Sequence, residues 1–492
     1  MSMTLSTRLH FAMKRAEGPD NWFIPKDQLR YILNQPSVKE EIITLFGEQP
    51  PEQLEELVDR ICGREVDLGL NVCRKIFAVL LMIDQARSIK QFTAHDVSDA
   101  DIPLKPNQED QFTITALHKQ QDSTSTHIEL DGWSNTNYRN FLKYQWRVNA
   151  PFFTKDTNHH DQIPILENQA ILPWIPNDEL KGKHFQSGHS ESQSIFALKK
   201  LHRKEYITVA PEIETLRRFS LEDETHLIQL LTAFYWNHEC YLLFPWANGG
   251  SLDDLWQNNA ISPLSKEIMI WISDQCHGIA QGLRQIHERQ LSDFSRARLR
   301  QLEDPEVPEK VEFGLHGDIK PANILWFKHP QDSIGAGVLK ISDFGLAQFH
   351  SRETEMRSGH GEWIGCSPTY RSPEWETRSQ DDRRKAYSRK TDIWSLGCVY
   401  LEFVTWILLA SDGIEDFSVA RTEDDQPFSR GYLFPEDIFF QVKAETPDEQ
   451  RQVMVKSSVV TAVGKPWLIY DSGYNNSMAI RDALDTCTNF WT

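Results

Sequence analysis

The sequence has little positive charge relative to its negative charge. Its 492 residues include 52 Lys and Arg against 71 Asp and Glu, so the formal net charge is −19. Binding to nucleic acid requires clustered cationic side chains on the phosphates, and a polybasic membrane anchor requires a similar cluster. We therefore expect neither nucleic acid nor a membrane surface as a partner.

Long apolar runs are also absent. The first twenty residues lack the apolar core of a secretory signal. The longest apolar runs, Ile76–Ile83 and Val399–Ala410 with Glu402 inside it, are shorter than the roughly 20 residues that span a bilayer. The seven cysteines are scattered and include no CxxC pair, which is typical of reduced thiols. We expect a soluble cytoplasmic or nuclear protein with two or three structural units.

The segment HGDIKPAN at 316–323, followed by DFG at 343–345, carries the most chemistry. Phosphoryl transfer from ATP needs a carboxylate beside the attacking hydroxyl, a cation beside the phosphate, and oxygen ligands for Mg²⁺. Asp318 would accept the proton of the hydroxyl, and Lys320 would point toward the γ-phosphate. Asn323 and Asp343 would hold the metal. The sequence therefore predicts a phosphotransferase that uses ATP and Mg²⁺.

These two segments resemble the catalytic loop and magnesium loop of eukaryotic protein kinases, with Gly317 where most members have Arg. The Lys320–Asn323 form is similar to serine/threonine kinases. The resemblance implies an α+β, bilobal protein-kinase-like fold and a protein hydroxyl as substrate. Small-molecule phosphotransferases share the HGD loop but generally lack Lys at the second position after Asp.

Two later motifs strengthen the resemblance. Ser367 begins an SPTY segment that resembles the substrate-positioning loop, and its hydroxyl would bridge Asp318 and Lys320. An SPE motif follows at 372–374. Asp392 begins DIWSLG, which resembles the start of the central helix of the large lobe. There its carboxylate would accept bonds from backbone amides of the catalytic loop, which would offset the cost of its burial.

The run Ile195–Lys199 resembles the third strand of the kinase small lobe. The resemblance places Lys199 over the α- and β-phosphates and Ala197 beside the nucleotide. A GxGxxG loop should precede this strand and cover the phosphates with backbone amides. Only Gly182 and Gly188 stand in that region, and we take Gly182 as the candidate.

The lysine needs a carboxylate partner from the following helix, and Glu212 is the candidate. Leu216 and Phe219 follow it at the fourth and seventh positions, which turns an apolar helix face inward while Glu212 points toward the lysine. Glu214 is the rival.

The segment Tyr241–Leu252 resembles the fifth strand, the hinge and the start of the next helix. Pro245 would offer its carbonyl to the adenine amine, and Ala247 would donate its N–H to the ring. The other residues assigned to the nucleotide are Phe244 as gatekeeper, Ser251 at the ribose, and Leu325.

The first hundred residues favour helices. Pro51 would open one that Gly63 ends, and the stripe from Val72 to Ile83 indicates another. The polar composition of 103–134 predicts a linker or mobile loop. The expected organisation is a helical region at 1–164, a small lobe at 165–246, a large lobe at 247–460, and a divergent or truncated tail at 461–492.

Two departures from the family pattern leave a second reading open. The glycine-rich loop is degraded, and no Arg that would pair with Glu374 is recognisable after residue 460. A pseudokinase that binds nucleotide or proteins as a scaffold is therefore the alternative.

Short motifs also look like those of kinase-domain proteins of filamentous fungi that have a helical N-terminal region. These motifs are IFA at 76–78, QW at 145–146, LPW at 172–174, FPW at 244–246 and ILWF at 324–327.

Overall fold

A computed structural model describes much of the chain in two compact units. The described residues are 3–63, 72–107, 113–117, 125–151, 153, 163–176, 184–187, 195–201, 213, 216–217, 224–257, 266–288, 313–329, 337–343, 348–350, 367–374, 388–424, 436–443 and 452–462. The first unit comprises Met1–Lys204 and Leu231–Phe244, and the second comprises Glu205–Leu230 and Pro245–Thr492. The predicted small lobe therefore shares a unit with the N-terminal region, apart from the segment that begins at Glu205.

Seven helices lie in the described N-terminal part of the first unit. They are α1 Leu5–Phe11, α2 Lys26–Ile32, α3 Gln35–Phe46, α4 Pro51–Cys62, α5 Arg74–Met82, α6 Ile89–Ala94 and α7 Asn135–Val148. A short hairpin pairs β1 Lys14–Arg15 with β2 Trp22–Phe23. The prediction of a helical N-terminal region is confirmed.

The sequence-predicted boundaries of α4 are also confirmed. Pro51 begins the helix, and its buried face carries Leu54, Val58 and Ile61. The helix ends at Gly63, whose φ of 77° is a left-handed conformation that glycine adopts without steric cost.

Helix α5 begins at Arg74, so Val72 of the predicted stripe precedes it. The carboxylate of Asp99 accepts bonds of 2.9 Å from the backbone N–H of Lys75 and another of 3.2 Å from that of Ile76. Burial raises the pKa of Asp99 to about 6, opposed by these amide bonds and by Lys75. The side chain thus satisfies amides at the helix start that lack partners within the helix.

The polar segment 103–134 is not simply a linker. It contains a three-stranded sheet of β3 Lys105–Pro106, β4 Thr113–Leu117 and β5 Ser125–Glu129, in the order β3-β4-β5. Ile114 lies opposite Ile128 in the antiparallel register, and both are buried. Alternation explains the polar composition, because every second residue of a half-buried strand points away from the core.

A five-stranded sheet occupies the predicted small lobe, in the order β6-β7-β8-β10-β9. Its strands are β6 Trp174–Pro176, β7 His184–Ser187, β8 Ile195–Leu201, β9 Thr232–Trp236 and β10 Glu239–Pro245. Trp174, Phe196 and Phe234 form its core, and Phe153 packs on it with ring centroids 4.9 Å from Phe234. The run ending in Lys199 is therefore part of a strand, as predicted, and this strand lies at the middle of the sheet.

Short sheets and three helices form the described part of the second unit. The strands are β11 Gly250–Ser251, β12 Phe313–Leu315, β13 Ile324–Phe327, β14 Val338–Ile341, β15 Gln348–His350, β16 Phe440–Lys443 and β17 Gln452–Val455. The helices are α8 Leu252–Gln257, α9 Lys266–Glu288 and α10 Lys390–Glu423. Together with the sheets of the first unit, they confirm the predicted α+β class.

Helix α10 begins at the DIWSLG motif and is the longest described element. Ala410 interrupts its helical backbone, with φ 57° and ψ −160°. The helix is long and apolar enough to cross a membrane by composition alone, but its most apolar window is 72% buried, as in the core helix of a soluble protein.

Candidate active site

The catalytic loop runs from β12 through residues 316–320 into a 3₁₀ turn at Pro321–Asn323 and then into β13. Asp318 lies at its centre and is 9% exposed. Its Oδ2 is 2.7 Å from Nζ of Lys320 and accepts a 2.9 Å bond from Nδ2 of Asn323. Its Oδ1 accepts a 3.2 Å bond from the backbone N–H of Ser367. All three predicted catalytic residues therefore meet at one carboxylate.

The contact with Ser367 differs from the predicted one. The backbone amide of this residue, rather than its hydroxyl, donates to Asp318. The amide is placed there by a 3₁₀ turn at Pro368–Tyr370 that follows directly. The substrate-positioning segment is thus joined to the catalytic loop by its main chain.

The predicted metal ligands lie close together in the fold. The backbone oxygen of Asn323 accepts from both the N–H and the hydroxyl of Ser342, each at 2.8 Å, and Asp343 follows. Asp343 is exposed, and its φ of 62° is in the left-handed region. Within the described ranges no group of three or more His, Cys, Asp or Glu side chains could hold a metal. Two oxygen ligands nevertheless suit Mg²⁺, which usually keeps water molecules and phosphate oxygens as its other ligands.

The buried carboxylate of Asp392 holds the start of the catalytic loop. Asp392 accepts 2.8 Å bonds from the backbone N–H groups of His316 and Gly317 and from Nε2 of His287. The prediction that catalytic-loop amides hold Asp392 is confirmed. Gly317 makes its bond with a φ of 82°, a conformation that a side chain would strain.

His316 fixes the next part of the loop. Burial lowers its pKa, although Asp392 and the carbonyl of Ser342 oppose the shift. The neutral ring has one donor and one acceptor. Its Nδ1 faces the backbone N–H of Asp318 at 3.3 Å, and its Nε2 lies 3.0 Å from the carbonyl oxygen of Ser342. The proton therefore belongs on Nε2, and the ring joins the loop of Asp318 to that of Asp343.

Four nucleotide candidates that the structure describes lie in the second unit. Ser251 is the cross-strand partner of Leu325 in the β11–β13 pair. The hydroxyl of Ser251 donates to Asp254 at 2.8 Å, at the start of α8. Ala247 is buried and its carbonyl accepts from Gly250. Pro245 ends β10. The structure thus brings Ser251 and Leu325 together, and the hydroxyl of Ser251 is bonded to the nearby Asp254.

The other described candidates lie in the first unit. Ala197 and Lys199 are half-buried residues of β8, and Phe244 is a buried residue of β10. The neighbouring Lys200 pairs with Glu239 at 3.3 Å. Gly182, Glu212, Glu214 and Phe219 are outside the described residues. Leu216, which was predicted to face inward, is 1% exposed.

The SPE motif is anchored without an arginine among the described residues. The carboxylate of Glu374 accepts bonds from the hydroxyls of Ser388, at 3.2 Å, and Thr391, at 3.1 Å. Hydroxyl donors thus occupy a place where the family resemblance had suggested a cation.

Sequence reasoning missed a second charged group, formed by Glu402, Arg421 and Asp437. Arg421 pairs with Glu402 at 2.9 Å and with Asp437 at 2.6 Å. The only available signal was Glu402, which interrupts an apolar run where a charge is costly unless it is paired.

Comparisons with known proteins find protein kinases over part of the chain. Residues 311–454 match the protein kinase domain family. The chain is 28% identical to mitogen-activated protein kinase kinase 1 of Arabidopsis thaliana, over 49% of this chain and 58% of that protein. It is 40% identical to the serine/threonine-protein kinase Nek1 of Toxoplasma gondii, over 18% of this chain and 5% of that protein. It is 38% identical to the glycogen synthase kinase-3 homolog YGK3 of Saccharomyces cerevisiae, over 18% of this chain and 20% of that protein.

The matched regions span less than two thirds of the length of each of these relatives. The region that matches the family, 311–454, includes the catalytic loop, the magnesium loop and the start of α10. These matches and the motifs within them support a place for the chain in the eukaryotic serine/threonine protein kinase superfamily.

Proposed function

We propose that the chain is an ATP-dependent protein kinase that transfers the γ-phosphate to a serine or threonine hydroxyl of a protein substrate. The observation that carries the proposal is the set of contacts at Asp318. Its carboxylate is held by Lys320, Asn323 and the amide of Ser367 within one site. These are the groups that phosphoryl transfer requires beside an attacking hydroxyl.

The roles follow from the contacts. Asp318 accepts the proton of the substrate hydroxyl while the hydroxyl oxygen bonds to the γ-phosphorus. The bond between this phosphorus and the bridging oxygen of the leaving ADP breaks. Lys320 is 24% exposed at its side chain, so its ammonium can turn from Asp318 to the charge that develops on the transferred group. The amide of Asn323 and the bond from Ser367 hold the carboxylate in place. Positioning and electrostatics supply most of the catalysis in such reactions.

Mg²⁺ would neutralise the phosphate charge, with Asn323 and Asp343 as its protein ligands. Asn323 donates from its side-chain nitrogen to Asp318, so its side-chain oxygen is the atom that would bind the metal. The exposed carboxylate of Asp343 is the second ligand. Lys199 with Glu212, the hinge residues Phe244, Pro245 and Ala247, and Ala197, Ser251, Leu325 and Gly182 are the proposed nucleotide contacts.

The test begins with binding and then measures transfer. Mg²⁺-ATP should raise the melting temperature of the purified chain, and EDTA should abolish the rise. Autophosphorylation, or phosphorylation of a general protein substrate, should then occur. Asp318→Asn should remove the transfer and keep the thermal shift, because it keeps the shape of the side chain and removes the base.

Asp416→Asn is the matched control, since Asp416 is exposed on α10. It should retain full activity. A thermal shift with no transfer by the wild-type chain would favour the alternative of a nucleotide-binding scaffold. Transfer that survives Asp318→Asn would contradict the assignment of the base.

A further inference from the structure

A chain of side-chain bonds runs from α10 to the substrate-positioning segment, which we define as Ser367–Arg371. The hydroxyl of Tyr370 donates to Oε2 of Glu402 at 2.8 Å. Nη2 of Arg421 donates to Oε1 of Glu402 at 2.9 Å and to Oδ2 of Asp437 at 3.1 Å, and Nε donates to Oδ1 of Asp437 at 2.6 Å. Glu402 therefore receives Tyr370 on one oxygen and Arg421 on the other.

Arg421 is itself held firmly. Its side chain is 1% exposed, and its guanidinium lies 4.2 Å from the ring centroids of both Phe417 and Phe439. Cation–π contacts of a desolvated guanidinium are stronger than exposed ones. Lys456 adds a bond of 2.6 Å from its ammonium to the carbonyl of Arg421. Such a cation has few alternative positions.

A second set of bonds holds the same segment. Arg371 pairs with Glu436 at 2.5 Å, and Glu436 is the neighbour of Asp437 in the chain. The hydroxyl of Ser395 on α10 donates to the carbonyl of Tyr370 at 2.7 Å. The segment is thus fixed by the side chains of two successive residues, Tyr370 and Arg371, and by the bond from Ser395 to the carbonyl of Tyr370.

The other end of the segment reaches the candidate active site. Its first amide, that of Ser367, donates to the carboxylate of Asp318. The carbonyl of Ser367 accepts from the N–H of Tyr370, so the turn transmits the position of Tyr370 to Ser367. The bonds form a continuous path from Arg421 through Glu402, Tyr370 and Ser367 to Asp318.

We propose that Arg421 is a positioning residue for phosphoryl transfer: through Glu402 and Tyr370 it holds the segment Ser367–Arg371 against Asp318 and thereby sets where the substrate hydroxyl is presented. This rests on the proposed kinase function. Arg421 touches neither substrate nor nucleotide. Its loss should therefore loosen the segment and impair use of the protein substrate more than use of ATP.

The experiment measures the segment directly in the full chain. Amide hydrogen exchange of Ser367, Tyr370 and Arg371 is compared with that of α9, below the melting temperature of every variant. The variants are Arg421→Gln and Tyr370→Phe, which removes one hydroxyl and leaves the pair of Glu402 with Arg421 intact. Arg284→Gln is the control, because Arg284 pairs with Glu288 on the exposed face of α9.

Both test variants should raise exchange of the segment at least about tenfold with little change in α9, as expected for local opening. The KM for a protein substrate should rise or kcat should fall, while the KM for ATP stays within about twofold, which corresponds to about 0.4 kcal/mol. Arg421→Lys should recover part of the loss, because its charge remains although it cannot bond both carboxylates as a fork.

The proposal fails if segment exchange in Tyr370→Phe stays at the wild-type rate. It fails equally if exchange rises uniformly in the segment and in α9, since that would show a general loss of stability. If Arg421→Gln does not fold, Tyr370→Phe decides alone. A wild-type chain without transfer would refute the kinase function, and the exchange comparison would still decide whether Arg421 positions the segment.

Discussion

The two buried carboxylates of α10 are satisfied in different ways. Asp392, at the start of the helix, accepts from two backbone amides of the catalytic loop and from His287. Glu402, ten residues further along the same helix, accepts from Tyr370 and from the cation of Arg421. Asp392 mainly binds backbone amides of the catalytic loop, whose conformation is fixed by the site. Glu402 binds only side chains, which other residues could replace.

This difference has an energetic consequence. Burial of a charge is costly, and removal of one partner leaves the other partners uncompensated. At Asp392 the uncompensated groups would be donors of the catalytic loop itself. At Glu402, loss of Arg421 would leave two carboxylates, those of Glu402 and Asp437, without their cation. Loss of Asp392 should therefore disturb both the fold and the catalytic loop. Loss of Arg421 should lower stability while the donors of the catalytic loop keep their acceptor.

The largest effect is expected for Asp392→Ala. The change leaves three N–H groups, two buried and one half-buried, without their acceptor, and each such group costs about 1–3 kcal/mol. The free energy of unfolding should fall by about 4–6 kcal/mol, and phosphotransfer should disappear. Urea unfolding monitored by circular dichroism measures the first quantity.

Asp392→Asn is the matched control, because it retains one oxygen acceptor and should lose less stability than Asp392→Ala. If both variants unfold like the wild type, the carboxylate does not support the loop in solution.

Arg421→Met should have the next largest effect. It leaves Glu402 buried without its cation, and breaking a buried ion pair in this way costs about 3–5 kcal/mol. Adding Glu402→Gln should restore part of the stability, because the uncompensated charge is removed. Urea unfolding of the two single variants and the double variant gives the coupling energy. Strictly additive effects would contradict the pair.

The interruption of α10 at Ala410 can be tested at Gly413. A Cβ at this position would collide with Cβ of Leu409, which lies on the other side of the interruption and cannot move without it. Gly413→Ala should cost about 1–3 kcal/mol, as overpacking usually does. Gly47→Ala tests a glycine with open space but a φ of 76°, and so separates collision from backbone strain. A Gly413→Ala variant as stable as the wild type would show that the helix can straighten.

The partners of Asp392 could be predicted from the sequence, and the partners of Glu402 could not. Asp318, Lys320, Asn323 and Asp392 stand at fixed spacing because a single loop and the helix beneath it impose one geometry. Arg421 lies on α10 beyond the interruption at Ala410, and Asp437 follows the helix, so no spacing rule relates them to Glu402. Side-chain networks of this kind depend on tertiary packing, which a local pattern does not encode.

The fold shows the same division. Helix α4 was predictable because Pro51, an apolar stripe and Gly63 all act locally. The sheet β3-β4-β5 was missed because its strands are short and half polar, and their pairing is decided by residues far apart in the chain. The glycine-rich loop shows a third situation, in which the expected residues are largely absent from the sequence.

The pH dependence of stability gives a smaller but specific test of Glu402. Burial raises its pKa to about 7, and Asp437 adds to the rise, although Arg421 and Tyr370 oppose it. The unfolded chain releases this proton near 4.5, so the folded state binds more protons between 4.5 and about 7. The stability contributed by Glu402 should therefore fall as pH rises through this window and level off above it.

Glu402→Gln isolates this effect, since Gln keeps one of the two oxygen acceptors and does not titrate. The melting temperature of the wild type minus that of the variant should decrease between about pH 5 and about pH 8. A difference that stays constant or increases would mean that Arg421 keeps Glu402 ionised throughout.

The smallest effect is expected from removal of phosphate. Many kinases of this superfamily use an Arg before the catalytic Asp to bind a phosphate on the activation segment, which orders that segment. Gly317 occupies this position and uses its N–H to support Asp392 instead. The hydroxyls that could carry such a phosphate, Ser351, Thr354 and Ser358, are outside the described residues. Arg352 and Arg371 are the alternative cations for it. Arg352 is also outside the described residues, and Arg371 already pairs with Glu436.

Phosphatase treatment should therefore change the rate of ATP turnover by less than about tenfold, or about 1.4 kcal/mol of barrier. Intact-mass measurement before and after treatment establishes how much phosphate was removed, and inactivated phosphatase is the control. A larger fall would show that a cation other than one at position 317 binds an activating phosphate. Arg371→Gln would then identify it, because this variant should be insensitive to the phosphatase if Arg371 leaves Glu436 for the phosphate. A small fall would instead indicate that the loop is ordered by bonds already present at Asp392, without a phosphate.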